Sequence, residues 1–262
     1  MGCIIRDYRR IIFQRPKHRI DTMESLQIIL KKIGKYRSCV VQKEFTSKKN
    51  NVGLVRFNGS ICVFKRFSQQ HVKNINRECN ILSRYKDFIY MPLLIETDYD
   101  NKIVILKYIP GGNLCDILND IRISLEEKQR IIKILAEWFI AFHVSFRTKE
   151  GSIVRGDSNL RNFLFTDRIW GLDFEESRLG NSEEDIGEIC SSILTTKPMF
   201  TQEKFHLCQQ LISQYERSSQ TKLQNINKYI STTFDMITKR RDGHLEIIEW
   251  YKDEFLDKNI FL

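Results

Sequence analysis

Two kinds of apolar pattern divide the chain. Up to about residue 108, apolar residues come in short runs bounded by turn residues, the mark of β-strands. Runs near 38–45, 52–58, 60–67, 92–98 and 102–108 fit this description. Two helical stretches interrupt them. Leu26, Ile29, Leu30 and Ile33 recur at helical spacing, with Asp21 placed to cap the start and Gly34 to end it. A second helix is expected around 71–85. After Pro110-Gly111-Gly112 the pattern changes. Ser124-Leu125-Glu126-Glu127 has the form of a capping box, and Ile131, Ile132, Leu135, Trp138, Phe139 and Phe142 follow at helical spacing, which predicts a central buried helix. Only helical patterns follow Glu184, near 184–195, 202–217, 221–241 and 244–256, with turn signals at Lys197-Pro198 and Asp242-Gly243. The expected class is α+β. Residues 1–106 form an N-terminal helix and a small β-rich unit, and residues 107–262 a mostly helical one.

Composition narrows the classes. An apolar content of 42% with only four prolines in 262 residues excludes a disordered chain. No apolar run reaches the roughly 18 residues needed to cross a bilayer. The opening residues lack the pattern of a secretion signal, and Arg6 stands where an acylated Gly2 would need Ser or Thr. The seven cysteines (3, 39, 62, 79, 115, 190 and 208) include no C-x-x-C pair, so they read as small core residues in a reducing, cytoplasmic setting. Charge is uneven: residues 1–84 carry 19 Lys and Arg against 5 Asp and Glu, and the remainder 23 against 28. The basic third either assists an anionic nucleotide, is a solvated face, or steers an acidic partner such as a nucleic acid or an anionic lipid surface.

The chemistry concentrates in two short segments. Arg155-Gly156-Asp157-Ser158-Asn159-Leu160-Arg161-Asn162 sets an Asp and an Asn five positions apart in a loop, and Gly171-Leu172-Asp173-Phe174-Glu175 puts a second Asp at the end of an apolar stretch. Phosphoryl transfer from ATP needs a carboxylate that accepts or orients the acceptor's proton, plus an amide oxygen and a second carboxylate that hold Mg²⁺ against the phosphates. Asp157, Asn162 and Asp173 fit these roles in order. Upstream, Ile61-Cys62-Val63-Phe64-Lys65 is a β-rich run ending in a Lys suited to grip the α- and β-phosphates, and Glu78 lies in a helix where it can pair with Lys65. Ile103 to Ile109 reads as a buried strand stopped by Pro-Gly-Gly, the shape of a hinge, where the backbone of Lys107 and Ile109 is placed to read adenine's edge.

These elements, in this order, resemble the aminoglycoside phosphotransferase and choline kinase type of the protein-kinase-like superfamily over roughly residues 38–195. The closest likeness is Leu172 to Asp185, where the metal Asp is followed by an aromatic and an acid, with a later Asp. Phe142-His143 matches the family's Leu-His before the catalytic loop. The resemblance implies a two-lobed fold, with ATP and Mg²⁺ as cofactors and the C-terminal helices walling the acceptor pocket. Asp185 is expected to cap the following helix and brace the catalytic loop, and His143 to be a packed structural histidine. Arg161 and Glu175 have no single assigned role. Three departures stand out. Arg155 replaces the family's His two residues before the catalytic Asp, the interval from Asp157 to Asp173 is short, and Thr46-Ser47-Lys48-Lys49-Asn50-Asn51 replaces the Gly-rich phosphate loop.

The leading expectation is ATP- and Mg²⁺-dependent phosphorylation of a hydroxyl on a small molecule. The alternatives are a kinase acting on a protein or an anionic lipid-linked sugar, and a non-catalytic kinase-fold nucleotide-binding protein.

Overall fold

The structure, a computed structural model, describes residues 24–47, 49–84, 90–240, 245–258 and 260–261. The chain divides into two compact units, Met1–Gly111 with Leu172–Glu175, and Gly112–Gly171 with Glu176–Leu262. The first ends five residues beyond the 106/107 boundary expected from the sequence, because Lys107 is still paired with Cys62 in the sheet.

The first unit is built on five antiparallel strands, β1 (Val40–Phe45), β2 (Asn50–Phe57), β3 (Ser60–Phe67), β4 (Leu94–Asp98) and β5 (Ile103–Lys107), in the order β1-β2-β3-β5-β4. Alternation along each strand gives the sheet two faces. Cys62 and Phe64 of β3 share one face with Val55, Ile103 and Ile105. Helix α1 (Leu26–Lys32) covers that face, burying Leu26 and Leu30 together with Tyr36 and Cys39. Tyr36, Phe57 and Phe64 meet edge to face there, with centroids 5.4–5.9 Å apart. The opposite face carries Lys65 and Val63, opposite Val52 and Leu54 of β2 and Val104 and Leu106 of β5. Helix α2 (Val72–Arg84) buries Ile75, Glu78, Cys79 and Leu82, one stripe at helical spacing. Asp21, the expected cap of α1, lies outside the described residues; Ser25 occupies the N-cap position and makes no side-chain capping bond.

The second unit is centred on α4 (Leu125–Ser145). Its first turn is capped by Ser124 accepting from the Glu127 amide, and Ile131, Ile132, Leu135, Trp138, Phe139 and Phe142 are all buried. Around it lie α3 (Leu114–Leu118), α5 (Ser182–Thr195), α6 (Gln202–Ser219), α7 (Ile226–Thr238) and α8 (Leu245–Asp257). α4 packs on α6, α5 on α7, and α7 on α8. The helix expected over 221–241 is shorter, because residues 221–225 form a turn in which Glu216 accepts from the Leu223 amide. Six short strands complete the unit: β6 (Gly112–Asn113), β7 (Arg147–Thr148), β8 (Gly151–Val154), β9 (Phe163–Phe165), β10 (Ile169–Gly171) and β11 (Arg178–Gly180), in two three-stranded sheets ordered β10-β9-β6 and β11-β8-β7. β9 and β10 form a tight hairpin around Thr166-Asp167-Arg168, which fits the short interval from Asp157 to Asp173. Gly171 closes it against the α4 indole, where a Cβ would stand 2.3 Å from Trp138.

Candidate active site

In the first unit the decisive group is the Lys65 ammonium, which is 5% exposed. The alternation of β3 turns it away from the α1 core and towards α2. Its Nζ lies 2.7 Å from Glu78 Oε2, 2.7 Å from Asp173 Oδ1 and 3.0 Å from Glu175 Oε2. It also stands over the Phe67 ring, 4.7 Å from the centroid. Burial pushes the ammonium's pKa down; the three carboxylates outweigh it, Glu78 first, and the net direction is up. Lys65 therefore stays charged. Glu78 is fully buried, and burial pushes its carboxyl above the usual range despite the pull of Lys65.

Glu78, Asp173 and Glu175 outnumber the ammonium groups beside them, Lys65 and, 3.6 Å from Glu175 Oε1, Lys49. The ligand oxygens of Glu78, Asp173 and Glu175 all lie within 4.8 Å of one another. All-oxygen donors with surplus charge are the chemistry of a hard divalent cation, so this donor set fits Mg²⁺. Asp173 is the most open of the three, its side chain 38% exposed. It sits at φ 61°, a left-handed conformation that short Asp side chains tolerate and most residues avoid. Glu175 is buried and also accepts from Asn50 Nδ2 at 2.8 Å.

In the second unit the loop from Arg155 to Asn162 is fastened to α5. Asn181 caps that helix in a capping box with Glu184, so Asp185 does not have the capping part of the role expected from the sequence. Its bracing part is present. Asp185, fully buried, accepts from the Arg155 amide at 2.9 Å, the Gly156 amide at 3.3 Å, the Ser158 hydroxyl at 2.7 Å and His143 Nε2 at 3.0 Å. Burial alone raises its pKa; His143 and the loop donors outweigh burial and hold the carboxyl below its usual range. His143 is buried and also bonds the Tyr215 hydroxyl at 2.9 Å, so it is a packed structural group.

Two further acceptors on the same helix were not found from the sequence. Glu188 accepts from the Ser158 amide at 2.7 Å and Ser192 Oγ from the Leu160 amide at 3.0 Å. Asp185, Glu188 and Ser192 lie at i, i+3 and i+7, one face of α5, so the loop runs along the helix as a hydrogen-bonded ladder. Gly156 allows the turn: its φ is +73°, and a Cβ there would stand 2.6 Å from the Glu176 carbonyl. Arg155 is fully buried, its guanidinium 4.4 Å from the Phe163 ring and 5.4 Å from Trp138. A flat cation thus fills an aromatic slot beside the loop.

The ladder presents Asp157 half-buried. Its Oδ1 accepts from Asn159 Nδ2 at 2.9 Å and its Oδ2 from Asn162 Nδ2 at 3.0 Å. Using its nitrogen in this way, Asn162 keeps its Oδ1 for another ligand. Arg161 is exposed, and its carbonyl accepts from Asn113 Nδ2 at 2.9 Å. Lys107 ends β5 with its side chain exposed, and the Ile109 carbonyl accepts from the Gly111 amide at 3.0 Å. Lys65, Glu78 and Asp173 are therefore brought together in the first unit, and Asp157 and Asn162 in the second.

Solved structures with this architecture decide the fold. Choline kinase LicA from Streptococcus pneumoniae matches 88% of this chain and 98% of its own, with a TM-score of 0.61 at 14% identity. The structure of the gentamicin–APH(2")-IIa complex matches 88% of this chain and 91% of its own, with a TM-score of 0.57 at 13% identity. The chain has the protein-kinase-like fold. A choline/ethanolamine kinase family protein from Mesorhizobium loti shares that fold over 90% of this chain and 95% of its own, with a TM-score of 0.56 at 12% identity. No protein-family profile matches the sequence. Among curated proteins, the KEOPS complex subunit Bud32 of Pyrococcus abyssi is 28% identical over 100 residues, 37% of this chain and 42% of its own. A Methanocaldococcus jannaschii protein named for bifunctional tRNA threonylcarbamoyladenosine biosynthesis is 26% identical over 110 residues, 42% of this chain and 18% of its own. The chain thus spans less than half the length of either curated relative.

Proposed function

We propose that the protein is an ATP- and Mg²⁺-dependent phosphotransferase that moves the γ-phosphate to a hydroxyl of a small molecule. The observation that carries this reading is the buried Lys65 ammonium held 2.7 Å from both Glu78 and Asp173. A lysine fixed between a helix carboxylate and a metal carboxylate grips the α- and β-phosphates in kinase chemistry. In this reading Asp157 accepts or orients the proton of the attacking hydroxyl. Asn162 and Asp173 hold Mg²⁺, with Glu175 as a further oxygen donor. The backbone of Lys107 and Ile109 meets adenine, and the half-buried Val52, Leu54 and Val63 on the Lys65 face supply an apolar surface for the base. The metal supplies neutralisation of the charge that develops on the phosphates.

The acceptor is a hydroxyl compound other than an aminoglycoside polycation. Such a ligand favours a strongly acidic pocket, and residues 185–262 hold 11 acids against 10 Lys and Arg. A cytoplasmic place belongs to the same reading, because the six described cysteines are all buried and free. The test is ATP consumption with Mg²⁺ across a panel of sugars, amino alcohols and nucleosides, with Asp157→Asn as the control.

A second reading, phosphorylation of a macromolecule, is favoured by the sequence matches to Bud32 and to the tRNA-modification protein, and by the basic N-terminal third. Transfer of labelled phosphate to a protein or RNA fraction, with none to the small-molecule panel, is the result that would select it.

A further inference from the structure

The turn between β1 and β2 has no glycine, although a glycine-rich turn there is what lets backbone amides approach phosphates closely in kinases. Side chains in such a turn take away the close backbone approach that glycine allows, which leaves a long cationic side chain as the better-suited contact with phosphate. Lys49 is placed to make one. Its Nζ lies 3.6 Å from Glu175 Oε1, and Lys65 Nζ lies 3.0 Å from the other oxygen of the same carboxylate. Glu175 therefore bridges two ammonium groups, one from the turn and one from β3. All three residues belong to the first unit.

The two cations differ in kind. Lys65 is buried, whereas the Lys49 side chain is 44% exposed and ends on a carboxylate that is only 5% exposed. With nearly half of the Lys49 side chain in solvent, screening and the entropy of ordering the long chain offset much of what this pair adds to folding stability. Asn50, next in the chain, is buried and bonds both Glu175 and the Ser68 amide, which fixes the base of the turn. The Lys49 stem thus starts from an anchored point and its charge reaches inward. Polyphosphate carries more charge than one carboxylate and presents several acceptor oxygens, so it competes for both ammonium groups at once.

We infer that Lys49 is a second phosphate-gripping lysine, acting with Lys65 in place of the missing glycine-rich turn. This rests on the phosphotransferase reading above and deepens it. Lys49 would contact the polyphosphate of the nucleotide and not its base or sugar. Losing Lys49 would therefore weaken binding of a nucleoside triphosphate while leaving the nucleoside alone.

The experiment is equilibrium binding of ATP, ADP and adenosine, with Mg²⁺, to the full chain and to Lys49→Ala, Lys49→Gln and Lys49→Arg, each checked for an unchanged unfolding midpoint. The expected result is an ATP affinity lowered about tenfold by Ala and Gln, restored in large part by Arg, with adenosine unchanged and a weaker dependence on salt. Unchanged ATP affinity in Ala and Gln overturns the inference while leaving the phosphotransferase reading intact. An equal loss for adenosine and ATP also overturns it, because the side chain would then act only by shaping the turn. Failure of the unmodified protein to bind ATP at all overturns both.

Discussion

Asn162 donates its side-chain amide to Asp157 Oδ2 at 3.0 Å and to the Asp157 carbonyl at 3.0 Å, so the two residues of the G-D-x-x-x-x-N segment are held as a single group. Variants of Asp157 and of Asp173, the metal carboxylate of the proposed reading, are expected to differ. Asp157→Asn keeps the volume and removes the proton-accepting charge. It is expected to lower turnover by about 10²–10⁴ while ATP affinity stays within a few-fold. Asp173→Asn is expected to weaken Mg²⁺-dependent ATP binding, because it takes charge from the cluster of carboxylates around Lys65. Titration calorimetry and initial rates on both variants check this pair. Mild and equal effects on both would contradict the division of roles.

Asp185 is expected to be the costliest of the loop contacts to remove. It is fully buried and receives donors from Arg155, Gly156, Ser158 and His143. Asp185→Ala leaves those donors without their acceptor, for a loss of about 3–5 kcal/mol in urea unfolding. Activity is expected to fall even where the variant remains folded, because the loop carrying Asp157 loses its fastening.

Glu188 gives a pH signature. Burial first, and Asp185 second, push its carboxyl from the ordinary 4.5 up to about 7, although the Ser158 amide favours the charged form. The folded state therefore binds the proton more tightly than the unfolded one. The associated stability is fully present below pH 4.5 and is lost as pH rises through about 7. Asp157 and Arg178 are the other charged groups acting on it, in opposite senses. Glu188→Gln removes this titration and is expected to flatten the stability profile between about pH 5 and pH 8, by about 1–3 kcal/mol for a half-buried group. Thermal or urea unfolding across that range reads the difference.

Arg155→Ala is expected to cost about 2–4 kcal/mol, since it opens a cavity between Phe163 and Trp138 and removes a desolvated cation–π contact. Arg155→Met, which keeps most of the volume, is expected to recover part of that loss in the same unfolding measurement.

The candidate site was legible in the sequence where a short segment carries its own structure. Lys65 stands at the end of an apolar strand run and Asp173 after another, so strand alternation and the two neighbouring motifs placed both. Glu78 was legible as a helix position near Lys65. What the sequence left out depends on pairings between distant segments. Helical spacing shows that Asp185, Glu188 and Ser192 share a face, but not that a loop 30 residues earlier lies along it. Arg155 read as a replaced histidine, and its burial follows from Trp138 and Phe163 coming together only in the fold. The strands β6 to β11 are two to four residues long, too short for a period of two to be seen. The hydrophobic spacing that marked α4 succeeded because six large apolar residues, from Ile131 to Phe142, keep one face over about three turns. Over 221–241 it overran, because residues 221–225 are held in a turn by Glu216.

The most direct test of the central claim is Mg²⁺-dependent release of ADP from ATP by the full chain and by Asp157→Asn, in the presence of a panel of small hydroxyl compounds. The account predicts at least one acceptor that stimulates release in the unmodified protein. It also predicts loss of that stimulation by about 10²-fold or more in Asp157→Asn, with ATP still bound. Identical ADP release by the two proteins under every acceptor would contradict it.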